Sequence, residues 1–292
     1  MIFDNIAARQ LIDKGWSGDK KYRITTFDGS IYLLRIGSAS RYERRKREFH
    51  QMQQVAQLGI PMCLPVEFGQ CPEGVYTIES WIDGTDAETL IPTLPESQQY
   101  NFGLDAGRIL QKIHTISAPA GIEDWSIRFN QKIDRKLAAY QDCPLKYTED
   151  ACILKYLQEN RHLLDNRPQC YQHGDYHIGN MMIHRDGTLT VIDFDRDDYG
   201  DPWEEFNRIV WCAQAAPAFA SGMVDGYFDW DVPLDFWKLL ALYICSNTLS
   251  SLPWAIAFGD GEIQTMKKQA QDILNWYDYM QRVIPFWYKK PK

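Results

Sequence analysis

Four side chains within 21 residues carry the clearest chemistry in this chain: His173, Asp175, Asn180 and Asp193, set in HGDYHIGN and a later IDFD. A loop carboxylate can orient an attacking hydroxyl and accept its proton, while an amide oxygen and a second carboxylate are hard ligands suited to Mg²⁺. Together they suit phosphoryl transfer, where positioning and charge neutralisation supply most of the catalysis. Asp175 fits the first role, and Asn180 and Asp193 the second. His173, Asp175 and His177 also have the types of a hydrolase metal cluster, but the remaining ligands such a site needs are missing. The acidic run Asp195, Asp197 and Asp198 reads as a solvated face or as backbone caps, with Asp195 placed to assist a metal. Asp201, before Pro202, reads as an organiser of its loop.

These residues need elements to hold them. Met181 to His184 and Thr188 to Ile192 flank Arg185-Asp186-Gly187 and predict a hairpin between Asn180 and Asp193. Upstream, β-forming runs at Tyr22 to Thr26 and Ile31 to Ile36 flank Asp28-Gly29, a second hairpin. The loop before it, GWSGDKKY, has the glycines and lysines to lie over a phosphate chain. Phe49, Met52, Val55 and Ala56 follow charged residues from Glu43 at helical spacing, and Gly59 and Pro61 stop that helix. Strands are predicted at Leu64 to Phe68 and Val75 to Ile82. After Asp83-Gly84, Thr93-Leu94-Pro95-Glu96 reads as a capping box opening a helix with Phe102, Ala106, Ile109 and Ile113 on one face. Helical patterns fill most of the rest to Tyr279.

Composition bounds the reading. A chain of 292 residues exceeds the usual size of a single core, so two lobes are expected. The net charge of -8 disfavours nucleic acid as a partner. Seven scattered cysteines without a CxxC pair signal neither a disulfide framework nor a zinc site. No stretch is expected to reach the roughly 18 apolar residues of a membrane span, so a cytoplasmic protein without a membrane partner is expected. Composition is silent on oligomeric state.

HGDYHIGN followed by IDFD is similar to the catalytic and metal motifs of the aminoglycoside phosphotransferase and choline kinase superfamily. The resemblance implies an α+β, bilobal protein-kinase-like fold. Residues 1–82 would form a small N-terminal lobe of antiparallel sheet plus one helix, ending in the hinge. Residues 83–292 would form a larger, mainly helical catalytic and substrate-binding lobe. It further implies Asp175 as catalytic base, Asn180 and Asp193 as Mg²⁺ ligands, and His173 as a brace for the loop. Ser17 and Gly18 fall in the nucleotide-covering loop, Arg35 on the third strand is paired with Glu48 on the helix, and the Ser80 carbonyl and Ile82 amide meet the base. Many relatives carry lysine where Arg35 stands; a guanidinium can still fork phosphate oxygens.

The implied activity is transfer of the γ-phosphate of ATP or GTP to a hydroxyl of a small molecule, with an aminoglycoside-type antibiotic as first guess. Choline, homoserine, methylthioribose or a similar metabolite is the alternative acceptor, and a nucleotide-binding pseudokinase the alternative class. Asp225, Asp229, Asp231 and Asp235 beside Tyr227, Trp230 and Trp237 suggest a cationic acceptor, against the plainer reading of surface acids with inward-packed aromatics.

Overall fold

A computed structural model describes residues 1–13 and 18–289. In chain order the strands and helices are β1 (Ile6–Ile12), β2 (Lys20–Thr26), β3 (Ile31–Gly37), α1 (Tyr42–Ala56), β4 (Pro65–Cys71), β5 (Gly74–Ser80), β6 (Gly84–Asp86), α2 (Ala87–Leu90), α3 (Glu96–Ile113), α4 (Trp125–Asp142) and α5 (Asp150–Glu159). They continue with β7 (Cys170–Gln172), β8 (Met181–His184), β9 (Leu189–Val191), β10 (Asp198–Gly200), α6 (Ile209–Ala215), α7 (Pro217–Phe228), α8 (Leu234–Ile256) and α9 (Asp260–Trp276). The contacts divide the chain into two compact units: residues 1–87 with 180–197, and residues 88–179 with 198–292.

The first unit is built on an antiparallel sheet of order β1-β2-β3-β5-β4. The Asp28-Gly29 turn forms as expected: Gly29 takes φ +86°, and Asp28 accepts from the Thr26 hydroxyl and the Ser30 amide. Ile24, Leu34, Ile36, Tyr76 and Ile78 form the apolar centre of the sheet. Phe49, Met52 and Val55 are the buried apolar positions of α1, the spacing the sequence predicts. β1 was not anticipated, because its residues are mostly exposed and lack an apolar alternation; its pairing with β2 makes it a strand. The predicted β8–β9 hairpin turns at Gly187, φ +89°, and joins β6 in a three-stranded sheet. Backbone bonds from Val191 to Pro61 and from Cys63 to Val191 tie this hairpin to the segment before β4.

The second unit is mainly helical. Its core gathers Trp125, Phe129, Tyr140, Tyr243, Leu249 and Leu274 from α4, α8 and α9. The expected capping box is not formed. Pro95, at φ -56°, occupies the N-cap of α3 and offers no side-chain cap, while the Thr93 hydroxyl donates to the Leu90 carbonyl. Short strands β7 and β10 also escaped the sequence reading, since three residues carry too little pattern. α8 corrects a further expectation: by length and composition it is apolar enough to cross a membrane, with a mean hydropathy of 1.3. Of its apolar 18-residue stretch 67% is buried, the profile of a core helix.

Helices α3 and α7 pack through glycine. Gly103 and Gly107 on α3 face Gly222 and Gly226 on α7, and a Cβ at any of the four would collide with backbone of the opposite helix. Small residues spaced four apart on both partners let the two backbones meet. Gly222→Ala should therefore force the pair apart and destabilise the protein by about 2–3 kcal/mol, read as a lowered midpoint in thermal unfolding.

Candidate active site

In the first unit the chemistry gathers around one guanidinium. Arg35 on β3 is 4% exposed. Its Nη1 donates to Asp193 Oδ1 at 2.6 Å and its Nη2 to Asp195 Oδ2 at 2.5 Å, and Asp19 Oδ2 stands 3.7 Å from Nη2. Lys21 lies opposite Arg35 in the β2–β3 register, and its Nζ is 4.0 Å from Asp193 Oδ2. Burial works against the Arg35 charge, but Glu79, Asp193 and Asp195 outweigh it and raise the group above its ordinary value. Asp193 itself takes φ +69°, a left-handed conformation that aspartate tolerates better than most residues.

The expected Arg35–Glu48 pair is absent. Glu48 instead accepts from Arg44 Nε at 2.6 Å and Arg45 Nη1 at 2.9 Å, and Arg45 also pairs with Asp19. The reason is local: α1 places these arginines four and three residues before Glu48, on the same helix face, while Asp193 and Asp195 already occupy Arg35. Arg35 and Glu48 still line a common small cavity.

A second cavity, of about 110 Å³, lies wholly within this unit. Its lining combines the charged Lys21, Arg35 and Asp193 with apolar Leu33, Met182 and Ile192 and the segment from Glu79 to Ile82. Arg35, Ser80, Ile82 and Asp193, all singled out from sequence, thus share one cavity. The Ser80 hydroxyl accepts from the Leu64 amide at 2.8 Å, pinning the end of β5. Asn180 precedes β8, and its carbonyl accepts from the Ile192 amide at 3.0 Å, so the hairpin sets its backbone beside the residue before Asp193. Around Gly18 there is open space; Ser17 lies outside the described residues.

The second unit holds Asp175, whose side chain is 15% exposed. Arg208 Nε stands 3.2 Å and His177 Nε2 3.7 Å from its Oδ1. The loop around it is braced from within: the Asp175 amide donates to Nδ1 of the fully buried His173 at 3.3 Å, and the Gly174 amide donates to Glu205 Oε1 at 3.0 Å. Gly174, at φ +82°, supplies the turn. His177 Nδ1 accepts from the Gly179 amide at 3.1 Å. Both imidazoles therefore serve loop amides. Among the described residues, no group of three or more His, Cys, Asp or Glu side chains is gathered as a metal site.

Arg208 and Glu205 were not singled out from sequence; the only signal was their place in EEFNR, shortly after Asp201-Pro202-Trp203. Asp201 organises its loop thoroughly. Fully buried, it accepts from Arg167 Nε at 2.7 Å, the Tyr243 hydroxyl at 2.6 Å and the Trp203 amide at 3.0 Å. The acidic and aromatic cluster separates. Asp225 is fully buried and accepts from the Tyr100 and Tyr288 hydroxyls at 2.7 and 2.6 Å, whereas Asp229, Asp231 and Asp235 are exposed.

A sequence profile described as the phosphotransferase enzyme family (APH) matches residues 9–236. No curated protein matches the chain by sequence. Among solved structures, aminoglycoside phosphotransferase APH(4)-Ia is similar with a TM-score of 0.67 at 17% identity, over 93% of this chain and 94% of that one. The GDP complex of a mutant aminoglycoside 2'-phosphotransferase-IIIa gives 0.67 at 15% identity, over 92% and 91%. Amicoumacin kinase hAmiN, in complex with AMP-PNP and Ca²⁺, gives 0.64 at 16%, over 95% and 90%. The shared fold is that of these kinase-like enzymes.

Removing the central cation tests the charge arrangement. Arg35→Met leaves buried carboxylates uncompensated and should destabilise the protein by about 3–5 kcal/mol. Arg35→Lys should cost less, because an ammonium keeps the charge but loses the two-pronged fork. Burial holds the Glu79 carboxyl above its ordinary 4.5, with Arg35 opposing. A raised carboxyl contributes its stability fully below the unfolded value and loses it as pH rises through the folded one. Arg35→Met removes the opposing cation, so its cost should grow between pH 4 and pH 7 in thermal melts.

Proposed function

Because the chain belongs to the phosphotransferase enzyme family, we propose that it transfers the γ-phosphate of ATP or GTP to a hydroxyl of a small molecule, with an aminoglycoside-type antibiotic as the first acceptor to test. The observation that carries this reading is the single cavity of the first unit in which Arg35, Asp193 and the segment from Ser80 to Ile82 meet. Such a wall offers apolar surface and backbone polar groups to a purine, and cations to its phosphates. In this reading Lys21 and Arg35 bind phosphate oxygens, with Gly18 close to the phosphate chain, and the Ser80 carbonyl and Ile82 amide bind the base. Glu48 orients the arginines of α1 rather than Arg35 itself.

The donor set fits Mg²⁺. Asn180 and Asp193 offer hard oxygens, and this ion is commonly held by one or two carboxylates together with substrate phosphates rather than by a full protein cage. Asn180 and Asp193 would hold it, and when bound it supplies neutralisation of charge on the phosphates. Asp175 orients the acceptor hydroxyl and takes its proton on a carboxylate oxygen. Arg208 and His177 keep that carboxylate in place, and His173 and Glu205 keep the loop from moving under it.

The acceptor is a small molecule bearing a hydroxyl. The burial of Asp225 between two tyrosines leaves the exposed acids Asp229, Asp231 and Asp235 to attract a cation. A cytoplasmic setting is supported by seven cysteines that are all free thiols.

A screen of aminoglycosides and hydroxylated metabolites with both nucleotides and Mg²⁺ should reveal turnover. Asp175→Asn should lower kcat by about 10²–10⁴ without changing the thermal midpoint. Arg208→Met should lower kcat by about 10- to 100-fold through misplacement of the carboxylate. Nucleotide binding without turnover on any acceptor would point instead to a nucleotide-binding module that has lost transfer.

A further inference from the structure

The proposed reaction leaves a carboxylate in the wall of the nucleotide cavity without a task. Glu79 is 5% exposed and stands opposite Leu33 in the β3–β5 register, directly before Ser80. It lines the cavity beside Ser80 and Ile82. Arg35 gives its two terminal nitrogens to Asp193 and Asp195. Among the described residues, no cation stands within ion-pair distance of Glu79; its hydrogen-bonding neighbour is the Cys63 thiol, a weak donor. The Glu79 carboxylate borders the cavity, and a carboxylate withdrawn from bulk water gains from a donor that enters beside it.

Purines differ at the position such a group can read. Adenine carries an amino group at C6, with two hydrogens to donate, whereas guanine carries a keto oxygen there that only accepts. Glu79 and Ser80 both line the cavity, so a side-chain carboxylate and a backbone carbonyl are both on offer there as acceptors. Two such acceptors match an amino group with two donors. Against a keto oxygen the same pair is repulsive and loses its hydrogen bonds.

We propose that Glu79 is a specificity-determining residue that makes the cavity adenine-selective by accepting a hydrogen bond from the 6-amino group. The proposal rests on the reading of this cavity as the nucleotide site. Glu79 also contributes to the charge that offsets Arg35, and the variant series below separates that role from purine selection.

Calorimetric titration of the full chain with AMP-PNP, GMP-PNP and the inosine counterpart, each with Mg²⁺, tests it without any acceptor. Wild type should bind the adenine nucleotide at least about 30-fold more tightly than either 6-oxo nucleotide. Glu79→Gln, whose amide can turn its NH₂ toward a keto oxygen, should shrink that ratio to about threefold or less. If Glu79 served only to balance the charge of Arg35, the variant would weaken all three nucleotides alike and leave the ratio standing, which overturns the proposal. With wild type alone, purine riboside triphosphate, which has hydrogen at C6, should bind between the adenine and the 6-oxo forms. Equal binding of adenine and guanine nucleotides would sink the inference while sparing the phosphotransferase reading. No binding of any nucleotide would bring down both.

Discussion

A positive charge confined inside a β-sheet must be answered by negative charge, and that requirement shapes the first unit. Arg35 sits at the centre of β3 with almost no solvent. Desolvation of a guanidinium costs several kcal/mol unless its donors are engaged. The answer comes from four carboxylates on three separate stretches of chain: Asp19 before β2, Glu79 on β5, and Asp193 and Asp195 after β9. Binding these segments to one point fixes where the carboxylate of Asp193 lies relative to the strand that ends in Ser80. The cavity is the space this arrangement encloses. The same requirement explains why Glu48 is free to serve Arg44 and Arg45 instead.

The second unit solves a different problem, the fixing of a loop that must present a carboxylate while keeping its own amides satisfied. His173 and Glu205 accept the amides of Asp175 and Gly174, so the loop is held without regular secondary structure. Asp201 anchors the following segment by collecting donors from Arg167, Tyr243 and Trp203. Beneath these polar contacts lies a steric one: the glycines of α3 and α7 let the two helices approach to backbone contact. Tyr176 reaches the same helix, its hydroxyl donating to the Ala106 carbonyl at 2.7 Å. The loop that carries Asp175 is therefore tied directly to the closest-packed helix pair.

Local patterns were legible where local physics decides. The Asp28-Gly29 and Asp186-Gly187 turns, the α1 face and the β8–β9 hairpin follow from turn chemistry and periodicity. Strand β1 was missed because an exposed edge strand has no apolar alternation to show, and β7 and β10 because three residues are too few. The cap of α3 was misread because Pro95, rather than Thr93, takes the N-cap position. The buried profile of α8 also escaped, since a core helix and a membrane helix share the same composition.

By itself the sequence determined which groups are available: the order HGDYHIGN and IDFD, the arginine in YLLRI, and the hairpin that separates Asn180 from Asp193. It also determined the family, whose profile matches residues 9–236. Tertiary structure alone decided the partners. Arg35 faces Asp193 and Asp195 rather than Glu48, Arg208 stands beside Asp175, and Glu79 lines the cavity wall. The physical reason is range. Turns and helix faces are set by neighbours a few residues apart, whereas ion pairs form between whichever charges the packing buries together, here more than 150 residues apart in the case of Arg35 and Asp193.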